Sequence, residues 1–157
     1  MVIPKLHYIS QGNSTKEHLE NIQKACSSGA ELVQLNLENV TEKEYLKFAE
    51  EAREITAHFQ TRLIVKEYYK IAKTIKADGV CFSKTNFNAL SVRTHLYTWQ
   101  MIGAAANTLQ GCNALLEHQV DYISLQPFRI LDNNDTEITE LGCNGFAAIV
   151  DALKTET

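Results

Sequence analysis

Apolar positions along the chain switch between two spacings, and the switch recurs six times. Leu6-His7-Tyr8-Ile9-Ser10 is a short β-rich run. Gln11-Gly12-Asn13 then turns, and Ser14 or Thr15 caps a helix with Leu19, Ile22, Ala25 and Cys26 at helical spacing, closed by Gly29. Residues 31–37 read as a second strand. Thr41 and Glu44 form a capping box opening a long helix with Tyr45, Phe48, Ala49, Ala52, Ile55 and Phe59 on its apolar face. Strands are predicted again at 62–66, 79–83, 101–105 and 121–126, separated by helices through Tyr69–Ile75, Leu90–Leu96 and Leu109–Leu116, with Thr108 as a cap. A polar loop, Leu131 to Glu140, precedes a closing helix that carries Phe146, Ile149, Val150 and Leu153.

Strict alternation of strand and helix across short loops predicts parallel strands with right-handed crossovers. The class is α/β. Six units in 157 residues average about 26 each, so eight would need roughly 210, the size of a small (βα)8 barrel. The pattern therefore predicts a single domain over residues 1–157, a TIM-barrel-type repeat lacking its last two strands. An open doubly wound sheet is the rival, but no strand leads into GxGxxG or GxxxxGK[ST].

Composition narrows the partners. Fifteen Lys and Arg against 19 Asp and Glu give a net charge of −4, and no window mixes cations with aromatics as a nucleic-acid groove would. No apolar run approaches the ~20 residues that span a bilayer, and the N-terminus lacks a signal-peptide core, so a cytoplasmic protein without nucleic-acid or membrane partners is expected. Cys26, Cys81, Cys112 and Cys143 lack zinc-ligand spacing and read as buried or half-buried thiols. The five histidines are scattered and read as surface or capping residues.

Five segments in order resemble the thiamine phosphate synthases and their thiazole tautomerase relatives. Leu6 to Ser10 resembles that family's opening strand, and Gly29-Ala30-Glu31-Leu32-Val33-Gln34-Leu35 its "GAdlVQLR" segment. Ala77-Asp78-Gly79-Val80 resembles "ADGVHLGQ", and Ile102-Gly103 with Asn107-Thr108-Leu109 resembles "IGvSvHTLeEa". Val120-Asp121-Tyr122-Ile123, Pro127-Phe128 and Leu141-Gly142 with Gly145 resemble "aDYigLGPvFpTxTK…LGleGL". The resemblance implies a transferase of thiamine biosynthesis that joins hydroxymethylpyrimidine pyrophosphate to hydroxyethylthiazole phosphate with Mg²⁺. Its ligands would be small phosphorylated pyrimidines or thiazoles.

Mapped residue by residue, the implied site departs from the family almost throughout. Gln34 is retained, but Asn36 stands at the Arg position and Glu38 at the Lys position of "QLRxK". The metal-holding "ND" pair is Lys66-Glu67 and the second metal position is Asn86, so the implied magnesium ligands are Glu67 and Asn86. Ala105 and Asn107 replace a Ser and a His, and Asn cannot shuttle a proton, which weighs against a tautomerase. The "TxTK" positions are Leu131, Asn133 and Asn134. Lys66, Lys84 and Arg129 are candidate substitute phosphate ligands, and Asn107 and Thr108 complete the expected substrate-binding set. Tyr97 and Trp99 read as packing residues.

Two functions follow. One is a thiamine phosphate synthase-like protein of impaired activity; the other is an inactive paralogue, fragment or engineered scaffold serving as a binding or structural module. Six strands of a barrel also leave two open edges. Tyr8, Ile9, Ile123 and Leu125 are expected to face the gap, covered in a homo-oligomer or plugged by the helix at 142–154.

Overall fold

A computed structural model describes residues 3–127 and 140–155. Strands and helices alternate as β1 (His7–Ile9), α1 (Thr15–Ser27), β2 (Leu32–Leu35), α2 (Glu42–His58), β3 (Arg62–Lys66) and α3 (Tyr69–Thr74). They continue as β4 (Gly79–Phe82), α4 (Ala89–His95), β5 (Met101–Ala106), α5 (Leu109–Glu117), β6 (Tyr122–Leu125) and α6 (Gly142–Thr155). Every pairing is parallel and the sheet runs β1-β2-β3-β4-β5-β6. A doubly wound sheet reverses its strand order part-way; this one does not. His7 of β1 and Tyr122 of β6 meet edge to face with ring centroids 6.2 Å apart, which requires the sheet to curl towards closure.

Local chemistry explains the element boundaries. Ser14, Thr41, Asn88 and Thr108 each accept a backbone N–H three residues on, and Thr41 and Glu44 complete the expected capping box. Gly29 takes a left-handed φ of 91° after α1, where a β-carbon would be strained. Two aspartates clamp the amino ends of the strands. Asp78 Oδ2 accepts the Leu63 N–H at 2.8 Å and Arg53 Nη1 at 2.8 Å. Asp121 Oδ2 accepts the Ile102 N–H at 2.7 Å and Arg93 Nη2 at 2.6 Å. In both cases an arginine from the helix before one strand neutralises the aspartate that opens the next.

Alternation along the strands sorts side chains into two layers. Val33, Leu35, Leu63, Val65, Val80, Ile102 and Ala104 face the helices and form the main core with Leu19, Ile22, Tyr45, Ala49, Ala52 and Leu115. Leu32, Ile64, Cys81 and Met101 point to the concave side, where Ile3 and Tyr122 cover them. This corrects the expectation for the open edges: Tyr8, Ile123 and Leu125 pack on the helix layer. Ile9 does face the concave side as expected, and it is joined there by His7 and Tyr122, each one position out of step with the outward residues. Tyr122 stands directly over Gly103, where a β-carbon would run into its ring. Helix α6 lies beside α5 with Ile149 and Leu153 on the outer core, so it does not plug the gap. Cys26, Cys81 and Cys112 are buried, but Cys143 is exposed, against the expectation for that thiol.

One buried group ties the outer layer to the carboxyl ends of the strands. Tyr45, fully buried on α2, donates its hydroxyl to the Leu35 carbonyl and accepts the Lys66 N–H, both at 2.9 Å. Tyr45→Phe is expected to destabilise the fold by about 1–2 kcal/mol, since it leaves both backbone groups without that partner. A thermal melt followed by circular dichroism checks this, and an unchanged midpoint would reject the bridge as a structural element.

Candidate functional site

The carboxyl ends of β2, β3 and β4 enclose a cavity of about 240 Å³. Gln34 and Lys66 project into it because they share the concave phase of their strands with Leu32 and Ile64. Asn36 and Glu38 join from the loop after β2, and Cys81 and Phe82 form a wall. Lys66 Nζ lies 2.9 Å from Glu38 Oε1. That hydrogen bond, reinforced by the ammonium charge, holds the Glu38 carboxyl below the ordinary carboxylate range. The lysine and glutamate at the two exchanged positions therefore neutralise one another across the mouth. Burial pushes the Cys81 thiol up to about 11, so it stays protonated near neutral pH.

A second cavity, about 610 Å³, opens beyond β4 and β5. Lys84, Asn86, Asn107 and Thr108 line it, and Ser83 and Gln126 are shared with the first, so the two form one continuous mouth. Lys84, Asn86, Asn107 and Thr108 are all exposed. Thr108 is not free to turn towards a ligand without cost, because its hydroxyl caps α5 through the Gly111 N–H at 3.0 Å. Arg129, with the "TxTK" positions Leu131, Asn133 and Asn134, lies outside the described residues.

Magnesium fits this donor set poorly. Glu67 sits just past β3 with a left-handed φ of 63°, and its Oε1 accepts the Ser83 N–H at 2.7 Å. Asn86 supplies only a neutral amide, a weak ligand for a hard cation that favours carboxylates and phosphates. Among the described residues no group of three His, Cys, Asp or Glu could hold a metal ion.

Two site-facing residues escape a reading of the sequence. Ser10 and His18 pair at 2.8 Å between Oγ and Nδ1, and both are buried, at 0% and 9% exposure. They line a third cavity, of about 490 Å³, between the loops after β1 and β2, with Asn36 and Glu38 on its far side. The legible signal was positional: Ser10 directly follows a strand, and His18 falls one residue before Leu19 on a helix with an inward face. Tyr97 and Trp99 stack on each other at 5.6 Å, half exposed, in the segment between α4 and β5. That is the amino end of the sheet, opposite the mouth.

Comparison with known proteins matches this architecture. Residues 6–156 fit the family model described as thiamine monophosphate synthase. The chain is 31% identical over 150 residues to a thiamine-phosphate synthase of Flavobacterium johnsoniae, covering 96% of this chain and 71% of that protein. It is 30% identical over 152 residues to the enzyme of the same name from Flavobacterium psychrophilum, covering 97% and 74%. Among solved structures, thiamine phosphate pyrophosphorylase from Pyrococcus furiosus superposes with a TM-score of 0.78 at 19% identity, over 93% of this chain and 69% of that one. The solved structure supports the fold, and the sequence matches carry the lineage: the chain belongs to the thiamine monophosphate synthase family.

Proposed function

We propose that this chain is a thiamine phosphate synthase-type protein of weak activity, whose mouth takes phosphorylated pyrimidines and thiazoles through Lys66 and Lys84. In the reaction, the thiazole nitrogen forms a bond to the pyrimidine methylene while the methylene–oxygen bond breaks, and pyrophosphate leaves with the electron pair. The chain's part is to hold two anionic substrates together and to receive the departing charge. Gln34, Asn36 and Asn107 offer amide hydrogen bonds at the mouth, and the two lysines are the cations among its described lining residues.

The observation that carries the impaired activity is the 2.9 Å contact between Lys66 and Glu38. A phosphate must compete with a tethered carboxylate for the same ammonium. Each lost charge-assisted hydrogen bond costs about 1.5–3 kcal/mol of ligand binding, so a site that has exchanged several is expected to bind its substrate in a weakened way. The absence of disulfides among Cys26, Cys81, Cys112 and Cys143 suits a reducing, cytoplasmic compartment.

Calorimetry with hydroxymethylpyrimidine pyrophosphate and Mg²⁺ tests this reading. The wild-type chain should bind weakly and form thiamine phosphate slowly when the thiazole phosphate is added. The combined Asn36→Arg, Glu38→Lys and Asn86→Asp variant should bind at least about tenfold more tightly. Robust wild-type turnover, or a variant no tighter than wild type, would overturn it.

The pH dependence follows from the depressed Glu38 carboxyl. The group stays ionised through the neutral range and loses its charge only as pH falls below the ordinary carboxylate range. Lys66 therefore remains neutralised between pH 5 and 8, and wild-type affinity should show no gain there from release of the pair. Glu38→Gln should raise affinity throughout that interval; equal affinities of the two proteins at pH 7 would show that the pair does not govern binding.

We also propose self-association. Among the described residues β1 and β6 each pair on one side only, and such edges recruit strands. Light scattering on the purified chain should give a homo-oligomer, and a monomer with a cooperative melt would reject that arrangement.

A further inference from the structure

The last rung between β3 and β4 is made by a side chain. The Glu67 N–H donates to the Cys81 carbonyl at 2.9 Å, and a continued parallel ladder would then send the Ser83 N–H to the Glu67 carbonyl. Glu67 instead leaves the strand at its left-handed φ of 63°, and its carbonyl accepts the Tyr69 N–H at 3.0 Å. The Ser83 N–H is taken by Glu67 Oε1 at 2.7 Å. The carboxylate thus stands in for the backbone acceptor that the turn removes.

That contact fixes the start of the loop that carries Lys84. Ser83 lines both cavities of the mouth, and Lys84 and Asn86 follow it into the larger one. The far end of the loop is held separately, by Phe87 stacked on Phe82 at 4.1 Å and by Asn88, which caps α4. Ser83 and Lys84 are exposed, so the start of the loop owes little to packing and depends on its polar contacts. Glu67 itself lines neither cavity of the mouth, so its carboxylate reaches Ser83 from the strand side. A charge-assisted bond to one N–H also commits charge that a magnesium ion would need, and Asn86, the other implied metal position, offers a neutral amide.

We propose that Glu67 is a positioning residue and not a metal ligand: its carboxylate latches the end of β4 through the Ser83 N–H and so holds Lys84 at the mouth for an anionic substrate, a role that rests on the mouth being a phosphate site. At the implied metal position, this chain uses its carboxylate as a backbone acceptor. Charge separates the two roles. Binding of a hard cation depends on the negative charge, whereas an acceptor for an N–H needs only an oxygen in place.

Amide hydrogen exchange and amide NMR spectra of the whole chain test the latch. Without ligand, the Ser83 amide should exchange slowly in wild type and in Glu67→Gln, whose amide oxygen still accepts, and about tenfold faster in Glu67→Ala. Inorganic pyrophosphate, titrated in metal-free buffer at constant ionic strength, should bind Glu67→Gln within about twofold of wild type and Glu67→Ala about fivefold more weakly. Should Glu67→Ala fold poorly, Glu67→Gly suits the left-handed φ and should show the same two losses. Lys84→Gln should also weaken pyrophosphate, and adding Glu67→Ala to it should cost little more, since the latch acts through Lys84. Mg²⁺ alone should shift the Glu67 and Ser83 amides alike in wild type and Glu67→Gln. Glu67→Gln as weak as Glu67→Ala, losses that add to those of Lys84→Gln, or a saturable Mg²⁺ shift lost in Glu67→Gln would each overturn the proposal, as would Ser83 exchange unchanged in Glu67→Ala. Absence of pyrophosphate binding by wild type would reject the mouth as a phosphate site and with it the role at Lys84, while Ser83 exchange alone would then decide the latch.

Discussion

Two hydrogen bonds from one phenol fix the geometry on which the site depends. Parallel pairing of β2 with β3 extends to Leu35 and Val65. Beyond it, the Tyr45 hydroxyl bridges the Leu35 carbonyl and the Lys66 N–H. The bridge comes from the helix layer, through a side chain with no exposed surface. Burial also pushes the phenol pKa up, so the bridging group stays neutral. Asn36 and Glu38 follow directly after the bridged carbonyl, and Lys66 is itself the bridged N–H. The ion pair at the mouth is set by this link more than by its own attraction, because Glu38 is largely exposed and such pairs contribute little on their own.

The two ends of the sheet are built on opposite electrostatic rules. At the amino ends, Asp78 and Asp121 each accept one strand N–H and one arginine, and these clamps serve structure. At the carboxyl ends the charged groups make fewer such bonds. Lys84 is exposed, and Glu67 spends one oxygen on the Ser83 N–H. Helix amino termini also point to this end, as parallel βα units require, and they favour anions independently of side-chain charge. A mouth whose lysine is neutralised internally therefore still lies at the end of the sheet that favours negative charge.

Most of the frame was legible because it rests on repeated local signals. The capping box at Thr41 and Glu44, the cap at Thr108 and Gly29 at the end of α1 are short-range devices, and the structure contains each one. The gap-facing residues were misread for a different reason. Ile123 and Leu125 of β6 are an apolar pair that fits either the helix layer or a barrel interior, and only the register of Tyr122 over Gly103 settles the phase. The Ser10–His18 pair was equally hidden. Eight residues and a turn separate the partners, and no periodic pattern links a strand end to the first turn of the next helix. The exchange at Glu38 and Lys66 was visible as two unfavourable substitutions, yet their contact lies across 28 positions and emerges only from the sheet.

Why such substitutions leave the fold intact follows from how the layers divide the work. The main core takes its strand residues from the convex phase, while the mouth takes Gln34 and Lys66 from the concave phase and Asn36, Glu38, Lys84, Asn86 and Asn107 from loops. A change at Asn36, Glu38 or Asn86 therefore opens no cavity in the main core and breaks no aspartate clamp. Tyr45 joins the two, since it is packed in the main core and bonds the strand ends beneath the mouth. Its hydroxyl bonds backbone atoms alone, so it holds the strand ends in place whichever side chains stand at positions 36, 38 and 66. The same scaffold can thus carry a strongly cationic mouth or a self-neutralised one, and the difference between them lies in ligand affinity, not in folding.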